Sequence, residues 1–228
     1  RSSHFVKQAL RFYIMGLAWR TYRDPVLALK VLFRLIAMKR SLVGSLDNLK
    51  WLKSGGRYFW NISSPGWPSS AFKGFILHEM NRLVPLPQSQ NRYQTLIFSI
   101  TTRCPLNCEH CYEYSNLAAQ ENLSLAELQQ ILKRFQHLGV NSIEFSGGEP
   151  LCRFDDLISL LQMAEPGTDL WILSSGFGLD LRKAWALKKA GLTGVVISLD
   201  HYAEAEHNRF RGNPKAYQWV WKAVKSAQ

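Results

Sequence analysis

The sequence predicts an α/β fold, in which parallel β-strands alternate with helices over roughly the second half of the chain. From about residue 95, short apolar and β-branched runs lack polar–apolar alternation, which is typical of parallel strands covered on both faces. Amphipathic segments of helical period separate these runs, an order that indicates βα units. With 46% hydrophobic and 20% charged residues among 228, the composition excludes collagen-like, low-complexity and wholly disordered chains.

Positive charge is concentrated in the first part of the chain. Residues 1–95 hold 15 Lys and Arg against 3 Asp and Glu, whereas residues 96–228 hold 13 against 14. Any anionic partner is therefore expected to bind residues 1–95. We predict a basic, mainly helical region at 1–90 and an α/β core at 91–228, with the boundary near residue 90 after a proline-marked extended stretch.

Two helices are predicted in the first forty residues. The first runs from about 4 to 20, and Asp24 with Pro25 marks the start of a second that runs to about 40. Basic residues interrupt the apolar run of the second helix. The uninterrupted run is therefore too short to span a membrane. Two interpretations stay open: the helices pack on the body, or residues 1–40 make peripheral contact with anionic lipid.

Residues 54–70 are rich in Gly, Pro, Ser and aromatics, and we predict a loop there, followed by a helix at about 71–83. The aromatics beside Arg57 could stack on nucleobases or fill a hydrophobic seam, and nucleic acid is the lesser alternative.

Four βα units are predicted in the core. Ser124 and Glu127 form a capping-box pattern at one helix start, and Gly139 and Gly191 stand where helices should end. The strands are predicted at 96–100, 142–146, 169–175 and 194–200, and the helices at 124–138, 154–164, 180–190 and from about 214.

Three cysteines follow the first strand in a C-x3-C-x2-C pattern, Cys104, Cys108 and Cys111. Structural disulfides do not cluster in this way, so the pattern indicates metal ligation in a reducing compartment, which favours the cytoplasm. Three ligands leave one coordination position open, whereas structural zinc requires four. A zinc site would need His110 or Cys152 as the fourth ligand.

Polar and glycine-rich segments follow the other three strands: SGGEP at 146–150, Ser-Ser-Gly at 174–176 and Ser-Leu-Asp at 198–200. Ligands of parallel α/β folds bind at the carboxyl ends of the strands. We therefore expect one binding site at this edge.

The cysteine pattern and the GGEP motif together resemble the radical S-adenosylmethionine (radical SAM) superfamily, over about 95–212. With the Ser-Leu-Asp strand end and Arg211-Gly212, the sequence is similar to the branch containing the molybdenum-cofactor cyclase, the pyrroloquinoline-quinone peptide enzyme and the anaerobic sulfatase-maturing enzymes. The resemblance implies a partial (β/α) radical SAM barrel of six units. Four are readable here, so the chain is expected to be truncated after the fourth.

The resemblance also implies the cofactors and the reaction. Cys104, Cys108 and Cys111 would bind three irons of a [4Fe–4S] cluster, and the amino and carboxylate groups of S-adenosylmethionine (SAM) would chelate the fourth. Reductive cleavage of SAM would give a 5′-deoxyadenosyl radical that abstracts hydrogen from a peptide or a small biosynthetic precursor. A flavodoxin or ferredoxin type of donor would supply the electron.

Within the GGEP motif, the resemblance implies close backbone approach of Gly147 and Gly148 to the methionyl amino group of SAM. Glu149 would supply negative charge beside that group or orient the turn, and Pro150 completes the motif.

Four further residues are expected at SAM. His110 would lie beside the adenine, Ser175 and Ser198 would contact the ribose or carboxylate, and Arg211 would pair with the cofactor carboxylate.

Other polar residues near the motifs are expected to have ordinary roles. We expect Asp200 to cap a helix, His201 and His207 to be solvated loop residues, and Cys152 not to be a ligand. Two alternative functions stay open: a radical SAM enzyme that modifies nucleic acid, and a non-enzymatic zinc-stabilised binding module.

Overall fold

In the computed structural model, the described residues are 2–43, 51–61, 64–86, 93–117, 120–121 and 123–228. They form two compact units. The first comprises Arg1–Gln94 with Leu138–Asn141, and the second comprises Thr95–His137 with Ser142–Gln228. The boundary predicted near residue 90 lies outside the described residues.

The first unit contains the helix pair predicted from the sequence. Asp24 caps the second helix, because its Oδ1 accepts from the Val26 N–H at 2.7 Å and from the Leu27 N–H at 3.0 Å. One face of each helix packs into a core with the third helix, around Phe72 and Met80. The helices are α1 (Ser2–Tyr22), α2 (Pro25–Val43) and α3 (Ser70–Leu83).

The predicted loop at 54–70 is wrong at its beginning, where a short hairpin stands. Strands β1 (Leu52–Ser54) and β2 (Arg57–Phe59) pair antiparallel. Gly55 and Gly56 connect them, with φ of +54° and +77°. Glycines with positive φ at both central positions suit a two-residue turn whose twist matches that of the strands. The Gly-Gly pair therefore marked a hairpin rather than only a loop.

The second unit is built on the predicted parallel sheet, with its four strands adjacent in chain order. The two central strands are buried on both faces, as their unalternated apolar runs predicted. The strands are β3 (Thr95–Ser99), β4 (Ser142–Ser146), β5 (Asp169–Ser174) and β6 (Gly194–Ile197).

Helices follow each strand, and one of them was not predicted. The predicted helices are α4 (Leu125–His137), α5 (Phe154–Met163), α6 (Leu181–Lys189) and α8 (Ala216–Ala227). The additional helix, α7 (Glu204–Arg211), lies between β6 and α8. It contains His207, which is 1% exposed, so the expectation of a solvated loop histidine was wrong.

Candidate cofactor site

The carboxyl ends of the four strands lie at one edge of the sheet, because all three strand pairings are parallel. The segment after β3 carries the three cysteines, and we refer to residues 104–111 as the cysteine loop. The segment after β4 carries residues 147–150, which we refer to as the glycine turn.

The three cysteines of the loop are partly buried free thiols. Burial raises the pKa of the Cys104 thiol to about 11. Among the described residues, no group of three or more His, Cys, Asp or Glu side chains is already arranged as metal ligands.

The glycine turn packs on the backbone that leads into the cysteine loop. The Gly148 N–H donates to the Thr101 carbonyl at 2.8 Å, and the Glu149 N–H donates to the Arg103 carbonyl at 2.8 Å. A Cβ atom on Gly148 would overlap the Arg103 carbonyl and lie 3.0 Å from the Cys104 Cβ. Contact between the two motifs thus requires glycine at this position, a reason that does not depend on a ligand.

Glu149 connects the glycine turn to the end of β5. Its Oε1 accepts from the Leu151 N–H at 3.2 Å and from Ser174 Oγ at 2.9 Å. Its Oε2 accepts from the Ser175 N–H at 2.8 Å and from Ser175 Oγ at 2.5 Å. The residue is 1% exposed, and burial raises the pKa of its carboxyl although these four bonds act in the opposite direction. This carboxylate holds two strand ends in fixed relation.

The residues expected at SAM are distributed along this edge. The exposed His110 ring stacks on Phe210, with centroids 4.6 Å apart and planes 11° apart. Ser175 is engaged by Glu149, and the partly buried Ser198 donates its N–H to the Ser174 carbonyl. Pro150 is buried at the start of a 3-10 helix, Pro150–Arg153, that also contains Cys152.

Arg211 is 9% exposed and contacts both the cysteine loop after β3 and the segment after β6. Its Nε donates to Asp200 Oδ2 at 2.5 Å, and its Nη1 donates to Cys108 Sγ at 3.6 Å. Asp200 therefore pairs with Arg211 and does not cap α7, whose N-cap is Ala203. The Asp200 N–H also donates to His207 Nδ1 at 3.3 Å.

Sequence reasoning missed several polar residues beside the cysteine loop. Glu121 accepts from Thr101 Oγ1 and Arg103 Nε, and lies with Arg153 on the wall of a cavity of about 260 Å³. Tyr112 Oη lies 3.0 Å from Ser146 Oγ, within hydrogen-bonding distance. The position of Tyr112 directly after the third cysteine was an available signal, whereas nothing local marked Glu121.

The donor set fits an iron–sulfur cluster. Three thiols on one loop are the donors that such clusters take, and one iron would remain for a ligand outside the protein. The buried guanidinium of Arg211 beside Cys108 suits sulfur donors that are negatively charged when they bind metal.

Comparison with known proteins agrees with this chemistry. The family model of the radical SAM superfamily matches residues 98–228. Over 132 residues the chain is 34% identical to GTP 3′,8-cyclase of Mycolicibacterium smegmatis, an alignment that covers 55% of this chain and 36% of the cyclase. The chain thus spans little more than a third of the length of that relative.

Two solved structures align with parts of this chain. HydG, a maturase of the [FeFe]-hydrogenase, aligns with a TM-score of 0.48 and 16% identity, over 69% of this chain and 36% of HydG. Streptococcus suis SuiB aligns with a TM-score of 0.46 and 15% identity, over 91% of this chain and 44% of SuiB.

The family match extends over more than half of the chain, from β3 to the last described residue. It confirms the resemblance drawn from the cysteine spacing and the GGEP motif, and it favours an enzyme over a zinc-stabilised binding module. The cofactors of this family are a [4Fe–4S] cluster and SAM. The chain belongs to the radical SAM superfamily.

Proposed function

We propose that residues 95–228 form the cluster-binding and SAM-binding part of an enzyme that cleaves SAM reductively. One observation carries the proposal: the glycine turn after β4 donates two backbone hydrogen bonds, both of 2.8 Å, to the segment that enters the cysteine loop. The two motifs of the family are thus one packed structure at the carboxyl edge of the sheet.

The residues have separate roles in this proposal. Cys104, Cys108 and Cys111 hold three irons, while the glycine turn supports the loop from one side and Glu149 fixes that turn against β5. When bound, the cluster supplies the electron that breaks a carbon–sulfur bond of SAM to give methionine and a 5′-deoxyadenosyl radical.

Contacts to SAM are proposed for the residues along the same edge. His110 would lie beside the adenine, and Ser198 and Ser175 would lie near the ribose or carboxylate. The backbone of Gly147 and Gly148 would approach the methionyl amino group, and Pro150 would complete the motif at the start of the 3-10 helix. The position of these residues at the ends of parallel strands supports this assignment.

The substrate class that we propose is a peptide or a small biosynthetic precursor, with a flavodoxin or ferredoxin type of protein as electron donor and the cytoplasm as the compartment. This class is supported by the branch that the motifs resemble. Modification of nucleic acid is the alternative, favoured by the basic residues of the first unit. Binding of RNA that falls steeply as salt rises would support that alternative.

We also propose peripheral contact of the first unit with an anionic membrane surface. α1 exposes Phe5, Phe12, Met15 and Trp19, whose spacing places them on one helix face, while its other face packs into the core. α2 likewise exposes apolar residues: Val26, Leu29, Phe33 and Ile36. Basic residues flank both apolar faces, a combination that suits interfacial binding. Of the helices that the structure describes, none is long and apolar enough to cross a membrane.

The SAM-binding role is tested with protein whose cluster has been reconstituted anaerobically and reduced. We expect that SAM changes the electron paramagnetic resonance (EPR) signal of the cluster, because its amino and carboxylate groups take the iron that has no cysteine. The Cys152→Ala variant should respond in the same way as the wild type. A signal that stays unchanged at saturating SAM would contradict the proposal.

A further inference from the structure

The last turn of α7 is bonded to the cysteine loop through the backbone. The Asn107 N–H donates to the Arg211 carbonyl at 3.2 Å, and the Glu109 N–H donates to the Phe210 carbonyl at 3.0 Å. Carbonyls in the last turn of a helix have no partner within the helix. The cysteine loop therefore supplies two donors that this helix end needs, and the helix end in turn fixes the loop.

Side chains extend the same contact. The Asn213 side-chain amide donates to the Pro105 carbonyl at 3.2 Å, near the start of the loop. Arg209 forms an ion pair of 2.6 Å with Glu109 on the exposed side. Because that pair is exposed, we expect it to contribute less than the backbone bonds.

Gly212, which follows α7, is required at its position for two reasons. Its φ of +63° is left-handed, a conformation that glycine adopts without steric cost. In addition, a Cβ atom there would lie 2.5 Å from the Asn107 carbonyl oxygen. The glycine thus lets the chain turn away from α7 while the cysteine loop stays in contact with it.

Arg211 brings a positive charge to one of the three thiols. Its guanidinium is held by Asp200 at 2.5 Å and donates to Cys108 Sγ at 3.6 Å. The side chain is almost fully buried, so its charge is screened little by solvent. Asp200 follows β6 and fixes the direction of the guanidinium.

We propose that the end of α7 positions the cysteine loop for cluster binding and that Arg211 raises the reduction potential of the cluster. This inference rests on the proposed cluster-binding role of Cys108. Reduction adds one negative charge, and a guanidinium that donates to a ligating sulfur stabilises the reduced state relative to the oxidised state. Arg211 would affect the cluster only through its hydrogen bond to Cys108 and would not touch the substrate. It is therefore a positioning residue and not a catalytic one.

The effect on potential is tested by redox titration of the reconstituted full chain, followed by EPR. At equal iron content, Arg211→Gln should shift the midpoint potential to more negative values, and Arg211→Lys should recover part of the shift because it keeps the charge. Arg134→Gln, which removes an exposed charge at the end of α4, is the matched control and should leave the potential unchanged. An iron-loaded Arg211→Gln protein with the wild-type potential would overturn the inference.

The positioning role is tested without any cluster, by hydrogen exchange of the Asn107 and Glu109 amides. Gly212→Ala should accelerate exchange at both amides. Gly178→Ala is the control, because Gly178 has a similar φ of +68° but a Cβ there would meet only Lys183 Nζ at 3.5 Å. Equal exchange rates in the two variants would overturn the positioning role.

Failure of the proposed function and failure of this inference would give different results. A wild-type chain that takes up no iron would contradict the proposed function, whereas a loaded Arg211→Gln variant with unshifted potential would contradict only the role of Arg211.

Discussion

At the scale of single residues, the Glu149 carboxylate joins the glycine turn to the end of β5. Each of its oxygens accepts one backbone N–H, from Leu151 on one side and from Ser175 on the other. In Glu149→Gln, one of these oxygens becomes an NH2 group, so one backbone N–H loses its acceptor whichever way the amide is oriented. A buried donor without a partner costs about 1–3 kcal/mol.

We therefore expect Glu149→Gln to lower the free energy of unfolding by that amount, measured by urea denaturation. Glu144→Gln is the matched control, since Glu144 lies in the adjoining strand β4 and is only half-buried. Glu149→Gln should have a clearly lower free energy of unfolding than Glu144→Gln. Equal stability of Glu149→Gln and the wild type would show that the four bonds to this carboxylate have little net value.

His207 should make the stability of the second unit depend on pH. Burial lowers the pKa of its imidazole below the ordinary value of 6.5, although the nearby Asp200 carboxylate acts in the opposite direction. The folded protein therefore holds this histidine neutral, while the unfolded chain takes up a proton below about pH 6.5. Its stabilising contribution is complete above that pH and is lost as the pH falls through the lower folded-state pKa.

We expect the wild type to lose stability between pH 7.5 and pH 5.5 in urea denaturation, and His207→Asn to lose less over the same interval. His137→Asn, which changes an exposed histidine of α4, should follow the wild type. If the pH dependence of His207→Asn were as steep as that of the wild type, other groups would be responsible.

Local motifs were the part of the site that could be predicted. The cysteine spacing predicted metal ligands, and the glycine pair before Glu149 predicted close backbone approach. Both properties depend on residues that are neighbours in the sequence. The burial of Arg211 and His207 could not be predicted, because it depends on contacts with Cys108 and Asp200 that only the folded chain brings together.

At the scale of elements, the two central strands of the sheet were predicted well because burial on both faces leaves unbroken apolar runs. The edge strands β3 and β6 are less buried, and their apolar and β-branched residues marked them. Helix α7 was missed for the opposite reason. Its sequence EAEHNRFR is mostly charged or polar and has no apolar stripe, and the residues it buries are His207 and Arg211. A helix that packs through polar side chains carries no hydrophobic period.

Helices α1 and α2 lead to a prediction about lipid binding. The full chain should sediment with anionic vesicles more than with neutral ones, since each basic residue near such a surface contributes about 1 kcal/mol. Trp19→Ala should weaken this binding. The control is Trp185→Ala, which removes a similarly exposed tryptophan from α6 in the second unit.

Equal sedimentation with both vesicle types, or loss of binding by both tryptophan variants alike, would contradict the lipid-contact proposal. The buried faces of the helices would then account for their apolar composition by packing alone.

At the scale of the whole molecule, the surplus of basic residues and the candidate cofactor-binding residues belong to different units. The first unit contains most of the positive surplus, whereas the cysteine loop, the glycine turn and Arg211 all belong to the second. The abrupt change of composition near residue 95 made this separation readable in the sequence. The sequence did not predict which apolar residues of the first unit are buried and which are exposed, because apolar residues occur on both faces of α1 and α2.

The central claim is that Cys104, Cys108 and Cys111 alone hold the cluster, and iron content after anaerobic reconstitution tests it most directly. We expect the wild type and Cys152→Ala to bind about four irons per chain with matching labile sulfide. Cys104→Ala, Cys108→Ala and Cys111→Ala should each fail to hold a stable cluster, because two protein ligands are too few. Full iron content in any of those three variants, or stoichiometric zinc without iron in the wild type, would contradict the claim.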